Sequence, residues 1–353
     1  AFKDFAMQLI GQLFQTALAR RGDRVTIAGA TSGDTGSAAM EAFRGLSNVD
    51  VFILYPHGRV SEVQRRQMTT PQDANVHALA VDGDFDDCQA RVKDMFNDFD
   101  FRDGVKLAGV NSINIARVLA QVVYYFSSAV SLGAPEREVS FTVPTGNFGD
   151  IFAGYIAQQM GLPIKDLVVA TNQNDILHRC LSGEGYHKGD TQPSISPSMD
   201  IQVSSNFERA LYFAYSKDTG AVAQLMEELK SGGFEVSQGA MQALGETYKS
   251  GRASEEETLA TITSELAASG ELICPHGAVA VKVANEQRET EVPMVTLATA
   301  HPAKFPAAVK QASGIHPDLP TRMSDLFERD ERVTRIANDL TALEAHIKAN
   351  IAS

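Results

Sequence analysis

An alternation of apolar, strand-like runs with helix-like segments constrains this chain more than any other feature of its sequence. Strands that alternate with helices in this way favour parallel pairing, with helices covering both faces of the sheet. The alternation begins at Arg24 and predicts one compact α/β domain. The strand-like runs are residues 25–28, 49–54, 76–81 and 105–110, and the helix-like segments that follow them end near Phe43, Met68, Asn97 and Val130.

A second set of alternating runs follows the break at Gly133-Ala134-Pro135. Runs at 139–143 and 167–171 predict a second α/β sheet. The chain is then largely helix-like over 204–287, and strand character returns at 292–297.

Both ends of the chain are helix-like, and one internal segment is not. A pattern from Phe2 to Leu18 that closes at Gly22 predicts a first helix, and the tail from Val333 onward predicts an amphipathic helix. Residues 182–200 are rich in Gly, Ser and Pro, so we expect a surface loop that folds over a site.

The composition excludes several classes of protein. A formal net charge of −13 argues against general nucleic-acid binding, which needs a basic surface. Cys88, Cys180 and Cys274 lie far apart, so neither a disulfide framework nor a cysteine-rich zinc site is expected. No apolar run is long enough to cross a membrane. We therefore expect a cytoplasmic protein with no metal site and with neither a membrane nor a nucleic acid as partner.

A glycine-containing turn, PTGNFGD at 144–150, connects a strand-like run with a helix-like segment. Gly146 and Gly149 permit positive φ and a close approach of the backbone to a ligand, and the following helix directs its positive end there. Such a turn suits a phosphate group, although it matches neither a P-loop nor a dinucleotide-binding motif. The alternative is an ordinary connection between a strand and a helix.

Lys3 is the lysine whose neighbours in sequence suggest chemistry. It lies between Phe2 and Phe5, and desolvation of an ammonium against an apolar wall lowers its pKa and makes a nucleophilic amine. The alternative is a solvated lysine on a helix surface, which is the usual environment of this side chain.

Polar residues follow several of the predicted strands. In a parallel α/β sheet, the loops after the carboxyl ends of the strands line the ligand crevice, so we expect these residues to form one site. Neither a hydrolase motif nor a metal-ligand spacing occurs among them.

Five short motifs become specific through their order. They are AFKDF at 1–5, TSGDTG at 31–36, NSIN at 111–114, PTGNFGD at 144–150 and TAHPAKF at 299–305. Together they run through essentially the whole chain, which resembles threonine synthase of the bacterial and fungal type.

The resemblance implies the tryptophan-synthase-β-like fold (fold type II) of pyridoxal-phosphate enzymes, with two parallel-sheet α/β domains and the cofactor between them. It implies that Lys3 forms the Schiff base with pyridoxal 5′-phosphate. The implied cofactor-binding residues are Lys3, Gly146, Asn147, Phe148, Gly149 and Thr299, the last of which would face the pyridine nitrogen.

The family reaction is the conversion of O-phospho-L-homoserine and water to L-threonine and phosphate, a step of threonine biosynthesis. The resemblance implies that Lys3 is the catalytic general base. The implied substrate-binding residues are Ser32, Asp34 and Thr35 in one turn, and Asn111, Ser112, Arg117 and Lys304 around the substrate phosphate. Two other functions stay open: a phospho-lyase or dehydratase of the same fold that releases a keto acid, and a non-catalytic binding protein.

The expected domains are a lysine-bearing helix at 1–23, a smaller α/β domain at 24–133, and a larger cofactor domain at 134–353 with a helical insertion at about 204–290. Family members carry a further segment before the lysine motif, so we expect one to have preceded Ala1. We expect a monomer or a homodimer.

Overall fold

A computed structural model describes residues 1–110 and 114–352 of the chain. The chain forms two compact units, which we describe separately: unit 1 comprises residues 1–114 and 318–353, and unit 2 comprises residues 115–317. Two of the predicted site residues, Asn111 and Ser112, lie outside the described residues.

Strands and helices alternate through most of the described chain. The strands are β1 (Val25–Ala30), β2 (Val49–Pro56), β3 (Val76–Val81), β4 (Leu107–Ala108), β5 (Val139–Pro144), β6 (Ile164–Thr171), β7 (Tyr186–His187), β8 (Gly233–Phe234), β9 (Tyr248–Arg252), β10 (Met294–Thr296) and β11 (Thr334–Ile336). The helices are α1 (Lys3–Arg21), α2 (Asp34–Phe43), α3 (Glu62–Thr69), α4 (Phe85–Asn97), α5 (Phe99–Gly104), α6 (Ile115–Ser131), α7 (Gly149–Gln159), α8 (Ile176–Leu181), α9 (Phe207–Ala214), α10 (Thr219–Lys230), α11 (Gln238–Gly245), α12 (Glu255–Ser269), α13 (Pro275–Gln287), α14 (Pro306–Ser313) and α15 (Leu340–Asn350).

Unit 1 is built on a parallel sheet with the strand order β11-β3-β2-β1-β4. Every residue of β2 is buried, as expected for a central strand of a parallel sheet that helices cover on both faces. Leu343 and Ile347 of α15 are buried in one cluster with Phe52 and Leu79 of the sheet. Burying each of these side chains stabilises the fold by roughly 1.5–3 kcal/mol. The predicted parallel α/β arrangement is confirmed.

The first helix ends where the sequence predicts. Gly22 follows α1 with φ 62°, a left-handed conformation that glycine adopts at little cost. This C-cap turns the chain toward β1, which begins at Val25.

Unit 2 contains a second parallel sheet, with the strand order β10-β5-β6-β9. Thr296 of β10 lies opposite Thr142 of β5, and Pro144 of β5 lies opposite Ala170 of β6. The carboxyl ends of these three strands therefore meet at one edge of the sheet. The predicted second α/β sheet is confirmed.

The predicted elements differ from the structure at their weakest patterns. The tail after Val333 forms β11, which pairs with β3, before α15 begins. The run at 105–110 forms only the short β4, because α5 extends to Gly104 and Lys106 has φ 51°. The largely helix-like region also contains β8 and β9. Strands of two to five residues are too short to show a clear period in the sequence.

The compact units also divide the chain elsewhere than at the predicted domain boundaries. Helix α6 belongs to unit 2, and residues 318–353 return to unit 1 through β11 and α15. A return of the chain to an earlier sheet leaves no local signal in composition. No helix of the described residues has the length and apolar character that a membrane span needs.

Candidate active site

The environment of Lys3 combines one aromatic ring with one carboxylate. Its Nζ lies 5.4 Å from the centroid of the Phe2 ring and 3.9 Å from Oδ2 of Asp34. The sequence predicts apolar surroundings for Lys3 from both Phe2 and Phe5. Phe5 is 71% exposed, so the prediction is wrong for Phe5. The Lys3 side chain is nevertheless only 17% exposed. The nearby carboxylate stabilises a positive charge on the amine.

Asp34 is itself held from a second helix of unit 1. Nε2 of Gln64 donates to Oδ1 of Asp34 at 3.1 Å, and Oγ of Ser61 donates to Oε1 of Gln64 at 3.0 Å. Gln64 and Asp34 are both buried. A chain of contacts thus runs from α3 through Asp34 to Lys3. Gln64 is not predictable from the sequence, because nothing in its local pattern distinguishes it from a surface glutamine.

The turn at 31–36 is fixed by its own side chains. Oγ1 of Thr31 accepts hydrogen bonds from the N–H groups of Gly33 and Gly36, both at 2.9 Å. Gly33 has φ 134°, and a Cβ at this position would collide with the amide of Gln64. Ser32 and Thr35 remain partly exposed on this turn.

In unit 2, the turn predicted to bind a phosphate follows the carboxyl end of β5. The residue with positive φ in this turn is Phe148, at φ 62°, and not Gly146 or Gly149 as the sequence suggests. The Phe148 ring is buried and lies 5.2 Å from the rings of both Phe207 and Tyr248. Packing of the ring in the core compensates for the strain of a left-handed phenylalanine.

Helix α7 begins directly after Phe148, and among the described residues no side chain caps it. The positive end of the helix dipole is directed at this turn, and helix N-termini commonly bind phosphate. Gly146, Asn147 and Gly149 are partly exposed at this place.

The loop at 182–200 lies against the same turn. A Cβ on Gly146 would lie 2.9 Å from the carbonyl oxygen of Ser198, so glycine is required for this close approach. Nδ2 of Asn172, which follows β6, donates to Oδ1 of Asp200 at 2.8 Å and to Oγ of Ser196 at 2.9 Å. Burial raises the pKa of Asp200, and the hydrogen bonds that it accepts oppose this rise.

Arg117 is a buried cation on α6 of unit 2, only 3% exposed. Burial lowers the pKa of Arg117 to about 10, so the guanidinium stays protonated at neutral pH. One turn later, Nε2 of the buried Gln121 donates to the carbonyl oxygen of Arg117 at 2.7 Å. Oε1 of Gln121 has no hydrogen-bond partner among the described residues. This face of α6 thus carries a buried charge beside a buried amide.

Thr299 and Lys304 follow β10 in unit 2. Thr299 is 6% and Lys304 is 5% exposed, although threonine and lysine are mostly surface residues. Lys304 ends the short 3₁₀ helix Pro302–Lys304. Because β10 pairs with β5, Thr299 follows the same edge of the sheet as the turn at Gly146.

His276 is a second residue at this place that no sequence motif indicates. Its Nε2 accepts a hydrogen bond from the N–H of Ser198 at 3.2 Å, and its ring lies 4.6 Å from the ring of Phe305. His276 therefore connects the loop against Gly146 with the residue after Lys304. Among the described residues, no group of His, Cys, Asp and Glu could hold a metal ion.

Comparison with known proteins identifies the family. A family profile described as "Pyridoxal-phosphate dependent enzyme" matches residues 1–299, and one described as "Threonine synthase, C-terminal" matches residues 277–347. Threonine synthase of Pseudomonas aeruginosa is 55% identical over 350 residues, which cover 98% of this chain and 75% of that protein. The chain belongs to the threonine synthase family.

Solved structures agree with membership of the threonine synthase family. The crystal structure of pyridoxal-phosphate-bound threonine synthase from Brucella melitensis has a TM-score of 0.98 and 55% identity, covering 100% of this chain and 76% of that one. Threonine synthase from yeast has a TM-score of 0.92 and 40% identity, covering 99% of this chain and 76% of that one. The predicted family, the fold type II class and the pyridoxal-phosphate cofactor are confirmed.

The described residues fit this cofactor chemically. Lys3 supplies a partly buried primary amine, and the start of α7 supplies backbone N–H groups of the kind that bind a phosphate. Thr299 supplies a buried hydroxyl group. Family membership does not assign a role to any one of these residues, and their roles stay predictions.

Proposed function

We propose that this member of the threonine synthase family converts O-phospho-L-homoserine and water to L-threonine and inorganic phosphate. The observation that carries the proposal is the presence, in unit 2 of an acidic protein, of two features that suit an anion. One is the start of α7, which no described side chain caps, and the other is the buried cations Arg117 and Lys304. A phosphorylated cofactor and a phosphorylated substrate require two such features.

In this proposal Lys3 binds the cofactor covalently and the turn at Gly146, Asn147, Phe148 and Gly149 binds its phosphate. Thr299 faces the pyridine nitrogen with a hydroxyl group in place of a carboxylate. When bound, pyridoxal phosphate delocalises the negative charge that develops at Cα of an amino acid.

Arg117 and Lys304 bind the substrate phosphate, together with Asn111 and Ser112. Charge-assisted hydrogen bonds to phosphate are among the stronger polar contacts, and they also stabilise the phosphate as it leaves. Ser32, Asp34 and Thr35 contact the substrate from the turn after β1.

With cofactor and substrate bound, the free amine of Lys3 would act as the general base. It removes the proton from Cα and later returns a proton there. Loss of a Cβ proton allows the phosphate to leave Cγ with the electrons of the C–O bond. A proton is then delivered to Cγ, which becomes the methyl group of threonine, and water adds at Cβ. Asp34, at 3.9 Å from Nζ, keeps the amine oriented through these transfers.

We further propose a cytoplasmic location and a monomeric or homodimeric state. Three buried cysteines, Cys88, Cys180 and Cys274, support a reducing compartment.

The assignment of Lys3 is tested by trapping the cofactor. We expect that borohydride reduction of the protein loaded with pyridoxal phosphate adds the mass of the reduced cofactor to the peptide that contains Lys3. The variant Lys3→Ala is the control and is expected to retain no such mass. Labelling of a different lysine in the wild-type protein would contradict the assignment.

A further inference from the structure

Two residues that follow the loop at 182–200 donate hydrogen bonds to carbonyl oxygens of the turn at 146–149, which is predicted to bind a phosphate. Oγ of Ser204 donates to the carbonyl oxygen of Gly146 at 2.7 Å. Asn206 donates to the carbonyl oxygen of Asn147 twice, from its N–H at 3.1 Å and from its Nδ2 at 2.9 Å. Two consecutive peptide groups of the turn are thus held from one side.

The hydrogen bonds to these carbonyl groups also fix the direction of the N–H groups of the turn. A trans peptide is planar, so its C=O and the N–H of the next residue point in opposite directions. Holding the carbonyl of Gly146 directs the N–H of Asn147 away from Ser204, and holding the carbonyl of Asn147 directs the N–H of Phe148 away from Asn206. These N–H groups immediately precede the start of α7.

The segment that contains Ser204 and Asn206 is buried and hydrogen-bonded within unit 2. Ser204 is 5% exposed and Asn206 is fully buried. The N–H of Ser204 donates to the hydroxyl of Tyr186 at 2.7 Å. The Tyr186 ring stacks on the rings of Phe207 and Phe234, with centroids 5.3 Å and 5.0 Å away. The turn is therefore oriented by a rigid part of the core.

We propose that Ser204 and Asn206 are positioning residues that orient the N–H groups of the Gly146–Gly149 turn toward the phosphate of the cofactor. This inference rests on the proposed function, in which that turn binds the cofactor phosphate. Donors oriented before binding cost no reorganisation when the anion arrives. Without the hydrogen bonds from Ser204 and Asn206, the peptide groups can rotate. Their carbonyl oxygens would then face the phosphate and repel it.

The test compares pyridoxal phosphate with pyridoxal, which lacks the phosphate but carries the same aldehyde. Dissociation constants for both compounds are measured by absorbance titration of the cofactor-free protein. Ser204→Ala is expected to raise the dissociation constant of pyridoxal phosphate by about tenfold, because one hydrogen bond to the turn is lost. The dissociation constant of pyridoxal is expected to rise by less than about twofold. Ser204→Thr, which keeps the hydroxyl group, is expected to restore most of the difference.

A matched control is Ser313→Ala. Oγ of Ser313 also donates to a carbonyl oxygen at 2.7 Å, that of Val309, in the same unit but within α14. This variant is expected to bind both compounds as the wild type does. Should Ser204→Ala fail to fold, Ser204→Cys keeps nearly the same shape with a weaker donor, and the same ratio is measured.

Three outcomes are distinguishable. A selective loss for pyridoxal phosphate in Ser204→Ala supports the inference. Equal weakening of both compounds, or no weakening of either, overturns it and leaves the proposed function intact. A wild-type protein that binds pyridoxal but gains nothing from the phosphate overturns the inference together with the proposed role of the turn.

Discussion

At the residue scale, the carboxylate of Asp34 connects two helices of unit 1 that are distant in sequence. It lies between Nζ of Lys3 and Nε2 of Gln64. A carboxylate that is held on one side by an amide donor keeps a fixed orientation toward its other partner. We therefore expect Gln64 to influence Lys3 through Asp34.

The first prediction concerns this indirect effect. Gln64→Leu removes the donor to Asp34, and a hydrogen bond to a charged group contributes about 1.5–3 kcal/mol. We expect kcat/KM for O-phosphohomoserine to fall by at least about tenfold and its pH profile to shift. Ser61→Ala, which removes the contact that holds Gln64, is expected to have a smaller effect in the same direction. An unchanged pH profile in Gln64→Leu would show that Gln64 serves the packing of α3 alone.

The second prediction concerns the substrate phosphate. Arg117→Ala is expected to weaken the binding of O-phosphohomoserine by about 1.5–3 kcal/mol, or roughly 10- to 150-fold in affinity, because a charge-assisted contact is lost. The affinity for pyridoxal phosphate should stay nearly constant. Titrations with substrate and with cofactor on the same variant measure the two effects.

Arg117→Lys is the matched variant for this prediction. It keeps the positive charge but loses the planar fork of donors, so an intermediate affinity for the substrate is expected. If Arg117→Ala released the cofactor and left the substrate affinity unchanged, Arg117 would belong to the other phosphate.

At the element scale, the start of α7 illustrates what the sequence can and cannot predict. The strand, the turn and the helix around PTGNFGD were predicted correctly, because an apolar run, two glycines and a second apolar run have unambiguous local meanings. The two glycines only permit positive φ, and the residue that adopts it is Phe148. Phe148 adopts that conformation because its ring packs with Phe207 and Tyr248, which lie far away in the sequence. Such tertiary contacts leave no local pattern.

Helix α15 packs on the sheet of unit 1 beside two histidines. His77 of β3 stacks on Phe52 at 4.4 Å, and the ring of His346 in α15 lies 6.4 Å from the same phenylalanine. Burial, followed by the charge of Arg332 and then that of His346, lowers the pKa of His77 to about 4, while Asp50 and a backbone hydrogen bond oppose this. Burial also lowers the pKa of His346.

The third prediction follows from the sign of these shifts. A histidine whose pKa is lowered in the fold binds fewer protons there than in the unfolded chain, so a falling pH favours the unfolded chain. Its contribution to the free energy of unfolding is therefore complete above pH 6.5 and is lost between pH 6.5 and about 4. Each such proton lowers the free energy of unfolding by at most about 1.4 kcal/mol per pH unit. Thermal unfolding of wild type and His77→Phe, followed by circular dichroism between pH 7.5 and 4.5, measures the difference. We expect the melting temperature of His77→Phe to fall less steeply, and a parallel decline in both proteins would refute the role of His77.

At the scale of the whole molecule, an acidic chain concentrates its buried positive charge at a few positions. The net charge is −13, yet Arg117 and Lys304 are buried in unit 2. The resemblance to threonine synthase implies a role for both residues, whereas their depth of burial is visible only in the structure. The division into units was not predictable, because residues 318–353 return to the first sheet after the whole of unit 2.

The central claim is that water adds to a carbon atom of the substrate after phosphate has left. The most direct test is incubation of the protein with pyridoxal phosphate and O-phosphohomoserine in water enriched in ¹⁸O, followed by mass analysis of all products. The account predicts threonine and phosphate in equal amounts, with ¹⁸O in the threonine hydroxyl group and none in the phosphate. Release of 2-oxobutanoate would instead indicate a phospho-lyase or dehydratase, and homoserine with ¹⁸O in the phosphate would indicate simple hydrolysis; either result would contradict the account.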